Sequence, residues 1–339
     1  MKSREKKKGV LLDRYFRQQV ERMNGQNSYF TAANYRNTLQ SVLRFAGKKS
    51  ENLRVDDITS EWVSAYVGYM LDTEKLSEGT ADCYYRTLRA AYNKAVREYG
   101  IEEAAGYPFK CVNIAVPPTL KRALSENDIC HLRDMKLTGE KACARDLFMF
   151  LFYARGMCFV DVFNLKKKDV HNGYINYKRS KTGNPLQVKI IPEARVLIER
   201  YSESDSPYVF AFLHRNRYKQ GCEVTEQSAL KRINRNLGVL GEELGFPNPL
   251  TTYVARHTWA TLVEACGTTT AIISQALGHS SERVTRTYMK GLPSHVIDGV
   301  NDEMLDSFIR EKTNKRRDRK DKKKRCLTPS KNETSLNAN

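Results

Sequence analysis

The sequence predicts a mainly α-helical chain with one small β-hairpin, divided into an N-terminal helical bundle and a larger α+β C-terminal domain. Three observations predict it. Apolar residues recur at helical spacing throughout the first third, and alternating apolar residues flank a run of turn formers, Gly183-Asn184-Pro185. Between the halves, residues 107–122 contain Tyr107-Pro108-Phe109 and Val116-Pro117-Pro118 and have little periodicity. The chain has 339 residues, 40% hydrophobic and 28% charged, enough for two separate cores.

In the first third, residues 9–24 place Leu11, Leu12, Tyr15, Phe16, Val20 and Met23 at helical spacing. Thr31 precedes a second helix with Tyr35, Leu39, Val42 and Leu43 on one face, stopped by Gly47. Ser60 is a candidate cap for a third, carrying Trp62, Val63, Tyr66, Val67, Met70 and Leu71. Thr80 opens a fourth, with Tyr84, Leu88, Ala91, Tyr92 and Ala95, ended by Gly100. Four such helices joined by short loops make a small bundle over residues 9–112, followed by a linker at 113–122.

The second domain, residues 123–310, opens with Ser125-Glu126-Asn127-Asp128, a capping box in which Ser125 and Asp128 satisfy each other's free amides. Residues 139–154 form an apolar helix interrupted at Gly156. Residues 173–178 and 186–191 alternate as strands around a turn that carries Lys181 near its tip. Helices are expected at 193–201, 224–244, 250–266, 269–277 and 281–290, and 294–309 is a further amphipathic stretch. Residues 311–339 are first charged, then rich in Ser, Asn and Thr, the composition of a disordered tail.

Several classes are excluded at this level. No run approaches the ~20 apolar residues of a membrane helix, and the basic segment 1–8 is followed by no apolar run and cleavage site, so it is not a secretory signal. The eight cysteines (Cys83, Cys111, Cys130, Cys143, Cys158, Cys222, Cys266 and Cys326) are scattered, with no C-x-x-C spacing. That pattern argues against a zinc site or disulfide framework and suits a reducing cytoplasm. There is no G-x-x-x-x-G-K-[ST], no G-x-G-x-x-G after a strand, no H-E-x-x-H and no G-x-S-x-G. Nucleotide hydrolysis, nicotinamide chemistry, zinc proteolysis and serine hydrolysis therefore lack their usual residues.

The net charge is +18, of which residues 1–8 contribute +4 and residues 310–325 contribute +8, leaving +6 for residues 9–309. The tails suit any polyanion. Within the body, Arg36 and Arg44 on the second helix, and Arg86, Arg89, Lys94 and Arg97 on the fourth, lie off the apolar stripes and are candidates for phosphate contacts, as are Lys121 and Arg122 at the end of the linker. Taken singly, each reads first as a solvated surface residue.

The sharpest pattern lies near the C-terminus: Thr251-Thr252-Tyr253-Val254-Ala255-Arg256-His257, then Leu277-Gly278-His279, then Tyr288 nine residues after His279. This order resembles the tyrosine recombinase, or phage integrase, family, and the likeness extends upstream through the hairpin lysine and the N-terminal bundle, across nearly all of residues 9–310. The resemblance implies a SAM-like core-binding domain and a catalytic domain. By position, Tyr288 attacks the scissile phosphate to give a 3′-phosphotyrosine, Arg256 grips the non-bridging oxygens, His279 donates to one of them, and Lys181 protonates the departing 5′ oxygen. Neither a metal nor another cofactor is implied. The partner is double-stranded DNA carrying specific recombination sites, with four protomers on two sites and residues 294–309 packed on a neighbouring protomer.

Elementary chemistry agrees. A phenol with a pKa near ~10 is a poor nucleophile until its proton is lost and the phosphate charge is neutralised. Guanidinium forks suit phosphate oxygens, whereas a point charge such as lysine suits proton transfer.

Two positions depart from the family pattern. Tyr253 stands three residues before Arg256, where the family has His or Lys, and is assigned a supporting hydrogen bond. Aligning Leu151-Phe152-Tyr153-Ala154-Arg155-Gly156-Met157-Cys158 puts Cys158 in the slot of the family's first arginine, with Arg155 three residues earlier. Either Arg155 reaches the phosphate from that loop, or the arginine is absent and the site weakened. Asp161 matches an acidic position expected to buttress an arginine. His257 is expected to be structural.

Because the bundle starts near residue 9, no arm-binding domain is expected ahead of it, which favours an invertase or a compact mobile-element integrase. The alternative is a catalytically impaired DNA-binding protein derived from an integrase. A type IB topoisomerase would share the chemistry.

Overall fold

The structure is a computed structural model and describes residues 9–26, 28–101, 106–110, 112–117, 122–215, 224–287, 298–299, 301–302 and 304–305. The chain divides into two compact units, Met1–Thr119 and Leu120–Asn339.

The first unit is the helical bundle: α1 (Leu12–Gly25), α2 (Tyr29–Ala46), α3 (Ser60–Gly68) and α4 (Glu78–Tyr99). Its core takes one residue or pair from each successive turn: Leu12, Tyr15 and Phe16 of α1, Tyr35, Leu39 and Val42 of α2, Val63 and Tyr66 of α3, and Leu88, Ala91, Tyr92 and Ala95 of α4. Three start signals differ from expectation. The second helix begins at Tyr29, ahead of Thr31. The third is capped by Thr59, whose hydroxyl accepts from the Trp62 amide at 3.2 Å. The fourth begins after Ser77, whose hydroxyl accepts from the Thr80 amide. A cap stands just outside the helix in non-helical backbone, two or three residues before the amide that it satisfies. Ser60 is already the first helical residue, and Thr80 is itself the donor. Between α3 and α4 the chain makes one turn of π-helix, Tyr69–Thr73.

The second unit opens on α5 (Glu126–Asp134), with the expected Ser125–Asp128 capping box. At its entrance the Leu124 amide donates to Thr258 Oγ1 at 3.0 Å. Next come α6 (Gly139–Tyr153) and α7 (Phe159–Phe163). Leu147, Phe148, Met149, Phe150 and Leu151 of α6 are all buried, so the C-terminal half of this helix is apolar all round and lies in the core of the unit. A three-stranded antiparallel sheet follows: β1 (Val170–His171), β2 (Tyr174–Lys178) and β3 (Pro185–Lys189), in sequential order. The register pairs Ile175 with Val188, both buried against the core.

Strand β1 was not expected. It joins β2 through Asn172-Gly173, both with positive φ (53° and 77°), the two-residue turn whose twist suits a hairpin. Then come α8 (Pro192–Tyr201), α9 (Glu226–Glu243), α10 (Thr252–Ala265), α11 (Thr270–Ala276) and α12 (Glu282–Arg286). Helix α10 packs on α6, α9 and α11. The expected helix over 281–290 is described only as far as Arg286, and most of the amphipathic stretch 294–309 and all of the tail lie outside the described residues. No helix among the described residues is long and apolar enough to cross a membrane.

Candidate active site

The site assembles around the turn that ends α11. Gly278, with φ +63°, stops the helix in the left-handed conformation, with its amide on Gln275 O and the His279 amide on Ser274 O, both at 3.0 Å. This paired cap fixes the direction of His279 and turns the carbonyls of Leu277 and Gly278 toward neighbouring side chains. A Cβ on Gly278 would lie 2.9 Å from Leu186 Cδ1 and 3.1 Å from Arg179 Cδ, so the β2–β3 hairpin rests directly on the turn.

Arg256, on the second turn of α10, is 2% exposed. Its Nη1 donates to Gly156 O at 2.7 Å and its Nη2 to Leu277 O at 2.6 Å. The loop after α6 comes close enough for this because Gly156 has no side chain: a Cβ there would stand 2.9 Å from Arg256 Cα. Nη2 of Arg256 also lies 2.9 Å from His279 Nε2, and His279 Nδ1 lies 2.7 Å from Oγ1 of the buried Thr285 on α12. A guanidinium has only donors, so Nε2 accepts, and the ring proton sits on Nδ1 and is donated to Thr285. Burial first, then the charges of Arg256, Arg179 and Lys181, push His279 from its ordinary value down to about 3. The imidazole is therefore neutral, in one tautomer.

Lys181 is exposed in the β2–β3 loop, whose Thr182 hydroxyl donates to Gly278 O at 3.2 Å. Asp161, buried on α7, accepts the Ser180 amide at 2.8 Å, so this carboxylate holds the base of the lysine's loop. Arg179, at the start of that loop, was not singled out in the sequence. It is 5% exposed, its Nη1 donates to Gly278 O at 2.6 Å, and its Nη2 lies 3.9 Å from Cys158 Sγ.

Arg155 has φ +57° and its Nη1 reaches Gln187 O on β3 at 3.5 Å, so the contact made by its guanidinium is with the sheet. Tyr253 is half exposed, edge-on to His257 with ring centres 5.0 Å apart, and lines a cleft with Cys158 and Arg256. Tyr288 lies outside the described residues, which run to Thr287 just before it. No cluster of metal-ligating side chains occurs among the described residues.

The basic residues of the bundle behave unequally. Arg36 is exposed. Arg44 pairs with Glu74 at 2.5 Å, Arg86 with Asp82, and Arg89 lies over the Tyr85 ring. Arg97 donates to Asn93 O at 3.1 Å, and Lys94 turns inward to Gln19 Oε1 at 2.6 Å. Arg122 is exposed, and Lys121 lies outside the described residues.

Both units match known families. Residues 11–113 match the phage integrase SAM-like domain and residues 122–295 match the phage integrase family. Tyrosine recombinase XerD of Oceanobacillus iheyensis is 22% identical over 294 residues, 82% of this chain and 91% of the relative. Among solved structures, a lambda integrase tetramer bound to a Holliday junction is 17% identical with a TM-score of 0.60, covering 83% of this chain and 76% of that one. The integrase of transposon Tn1549, in complex with transposon right end DNA, is 14% identical with a TM-score of 0.60, covering 87% and 99%. Both solved structures share the fold. With its larger unit matched by the catalytic-domain model and its bundle by the SAM-like one, the chain belongs to the phage integrase family of tyrosine recombinases.

Proposed function

We propose that the chain cuts and rejoins double-stranded DNA at specific recombination sites, with Tyr288 as the nucleophile. The observation that carries this reading is the buried Arg256 guanidinium held 2.9 Å from a neutral His279, on a turn nine residues before that tyrosine. In the forward step the Tyr288 oxygen bonds to the scissile phosphorus, losing its phenolic proton to solvent, while the bond from phosphorus to the 5′ oxygen breaks. Lys181, on its exposed loop, gives a proton to that departing oxygen. One phosphoester replaces another, so religation is the same step reversed and requires no nucleotide hydrolysis.

Arg256 stabilises charge on the non-bridging oxygens, where a preorganised donor contributes most. Without DNA, His279 accepts from Arg256 and keeps it oriented. The arriving phosphate charge favours the protonated ring, which then donates to a non-bridging oxygen. Tyr253, at the rim of the cleft, supports the phosphate through its hydroxyl.

Exchange between two duplexes cuts four strands, one tyrosine to each, so four protomers on two sites is the working assembly. Integration, excision and inversion use the same chemistry and differ in how the sites are arranged. The cytoplasm, where DNA and reduced thiols coexist, is the place of action; no disulfide joins the described cysteines.

A nicked suicide substrate tests the reading. Wild-type protein should become covalently joined to a DNA 3′ end, and Tyr288→Phe should not. No adduct with wild type, or an equal adduct with Tyr288→Phe, overturns it and leaves a DNA-binding protein without catalysis.

A further inference from the structure

We infer that Arg179, at the base of the β2–β3 loop, is the second phosphate-gripping guanidinium of this active site, filling the space left by Cys158, in place of Arg155. The inference rests on the recombinase reading above. A buried guanidinium presents five donors and a full charge, and it is costly unless an acceptor or anion compensates it. Arg179 is 5% exposed, yet among the described residues no carboxylate lies within ion-pair distance of it and its Nε has no hydrogen-bond partner. Among the described residues it donates to one oxygen, Gly278 O, at 2.6 Å, and its Nη2 faces the weakly accepting Cys158 sulfur at 3.9 Å. Such a group is built to receive an anion.

The placement matches that need. Arg256 is hydrogen-bonded to Leu277 O and Arg179 to Gly278 O, so the two guanidiniums hang from consecutive carbonyls of one turn, with His279 next in the chain. The stem of Arg179 is seated closely enough on that turn for a Cβ on Gly278 to stand 3.1 Å from its Cδ. Asp161 clamps the Ser180 amide, which fixes the backbone between Arg179 and Lys181. Phosphate clamp and leaving-group acid are then carried by one short loop. Cys158, small where the family resemblance expects an arginine, leaves room for Arg179 Nη2. Arg155 instead directs its guanidinium to the sheet carbonyl of Gln187.

The test compares two suicide substrates, one with an ordinary scissile phosphate and one with a methylphosphonate there, which lacks the non-bridging charge. Single-turnover adduct formation is measured beside DNA binding and thermal unfolding. Removing Arg179 should slow cleavage of the phosphate substrate by about 10²–10³-fold, the usual loss for one preorganised donor. The Arg179→Ala protein should recover toward the wild-type rate on the neutral substrate, where there is no charge to grip. Arg179→Lys keeps the packed stem and should still lose more than tenfold on phosphate, because a point charge cannot form the fork. In Arg179→Ala, adding Cys158→Arg should restore part of the rate.

Equal slowing of the Arg179 variants on both substrates would mark a structural role and overturn the inference. So would phosphate cleavage within tenfold of wild type, or selective recovery in Arg155→Ala rather than Arg179→Ala. Failure of the wild type itself to form a Tyr288 adduct would be a different result, against the recombinase reading.

Discussion

Replacing Gly278 by alanine probes the turn on which the site hangs. Two costs arise. The first is conformational: φ is +63°, and a residue with a Cβ pays about 1–2 kcal/mol to stay there. For a unit of this size, a loss of that order lowers the unfolding midpoint by about 2–8 °C. The second is steric and local: the new methyl would meet Leu186 Cδ1 at 2.9 Å and Arg179 Cδ at 3.1 Å, so the hairpin must retreat by a few tenths of an ångström. A 1 Å misplacement of a reacting group costs about 10²-fold, so a retreat of this size should slow single-turnover cleavage roughly threefold to tenfold. Gly173→Ala separates the two costs. Gly173 also has a positive φ, +77°, but nothing lies within 4 Å of a Cβ there, and it stands in the β1–β2 turn. It should lower the midpoint similarly while leaving cleavage unchanged. Calorimetry and suicide-substrate kinetics on both variants decide the matter: equal cleavage rates for Gly278→Ala and Gly173→Ala would refute the claim that close seating of the hairpin positions the chemistry.

Three further variants test the geometry. His279 titrates near 6.5 in an unfolded chain and is pushed down to about 3 in the fold, so the unfolded chain binds its proton first as pH falls. Its contribution to stability is complete above about 6.5 and drains away toward 3; denaturation midpoints between pH 7 and 4 should fall more steeply for wild type than for His279→Gln, and parallel slopes would contradict the assignment. In the bundle, Lys94→Ala should cost about 1–3 kcal/mol by stranding the buried Gln19 oxygen, with no change in the salt dependence of DNA binding. Arg36→Ala should instead lower the slope of log K against log salt by about 1; the reverse pattern would mean that the inward side chain is the one that meets phosphate.

Much of the fold was legible because it depends on periodicity along the chain. Core residues such as Phe16, Leu39, Tyr66 and Leu88 recur at helical intervals, and the Ser125–Asp128 box is a local rule with a local outcome. Errors occurred where two local signals competed. Thr59 and Ser60 both offer a hydroxyl at the start of α3, and Thr59 is the cap because its backbone is extended while Ser60 is already helical. Strand β1 is two residues long, too short for alternation to register. Its signal was the Asn172-Gly173 pair, which favours positive φ at both turn positions.

The site was legible where its spacing along the chain is short and its residue types are unusual. Arg256, His279 and the turn glycine between them form such a pattern, and the structure brings the arginine and histidine together. Arg179 could not be found in this way, because the chain holds 57 Lys+Arg and nothing local distinguishes one that is buried. Its neighbours in sequence, Lys178 and Ser180, are both exposed. What buries Arg179 comes from 99 residues away, at Gly278, and from 21 residues away, at Cys158. The signal was present as a vacancy: a cysteine where the resemblance expects an arginine. Arg155 was the nearer candidate in sequence, but its backbone enters the left-handed region just before Gly156 and its guanidinium goes to β3. An arginine side chain spans several ångströms, so one supplied from a facing loop serves a phosphate as well as one from the slot at Cys158. Position along the chain constrains such a residue weakly, whereas the need to compensate a buried charge constrains it strongly.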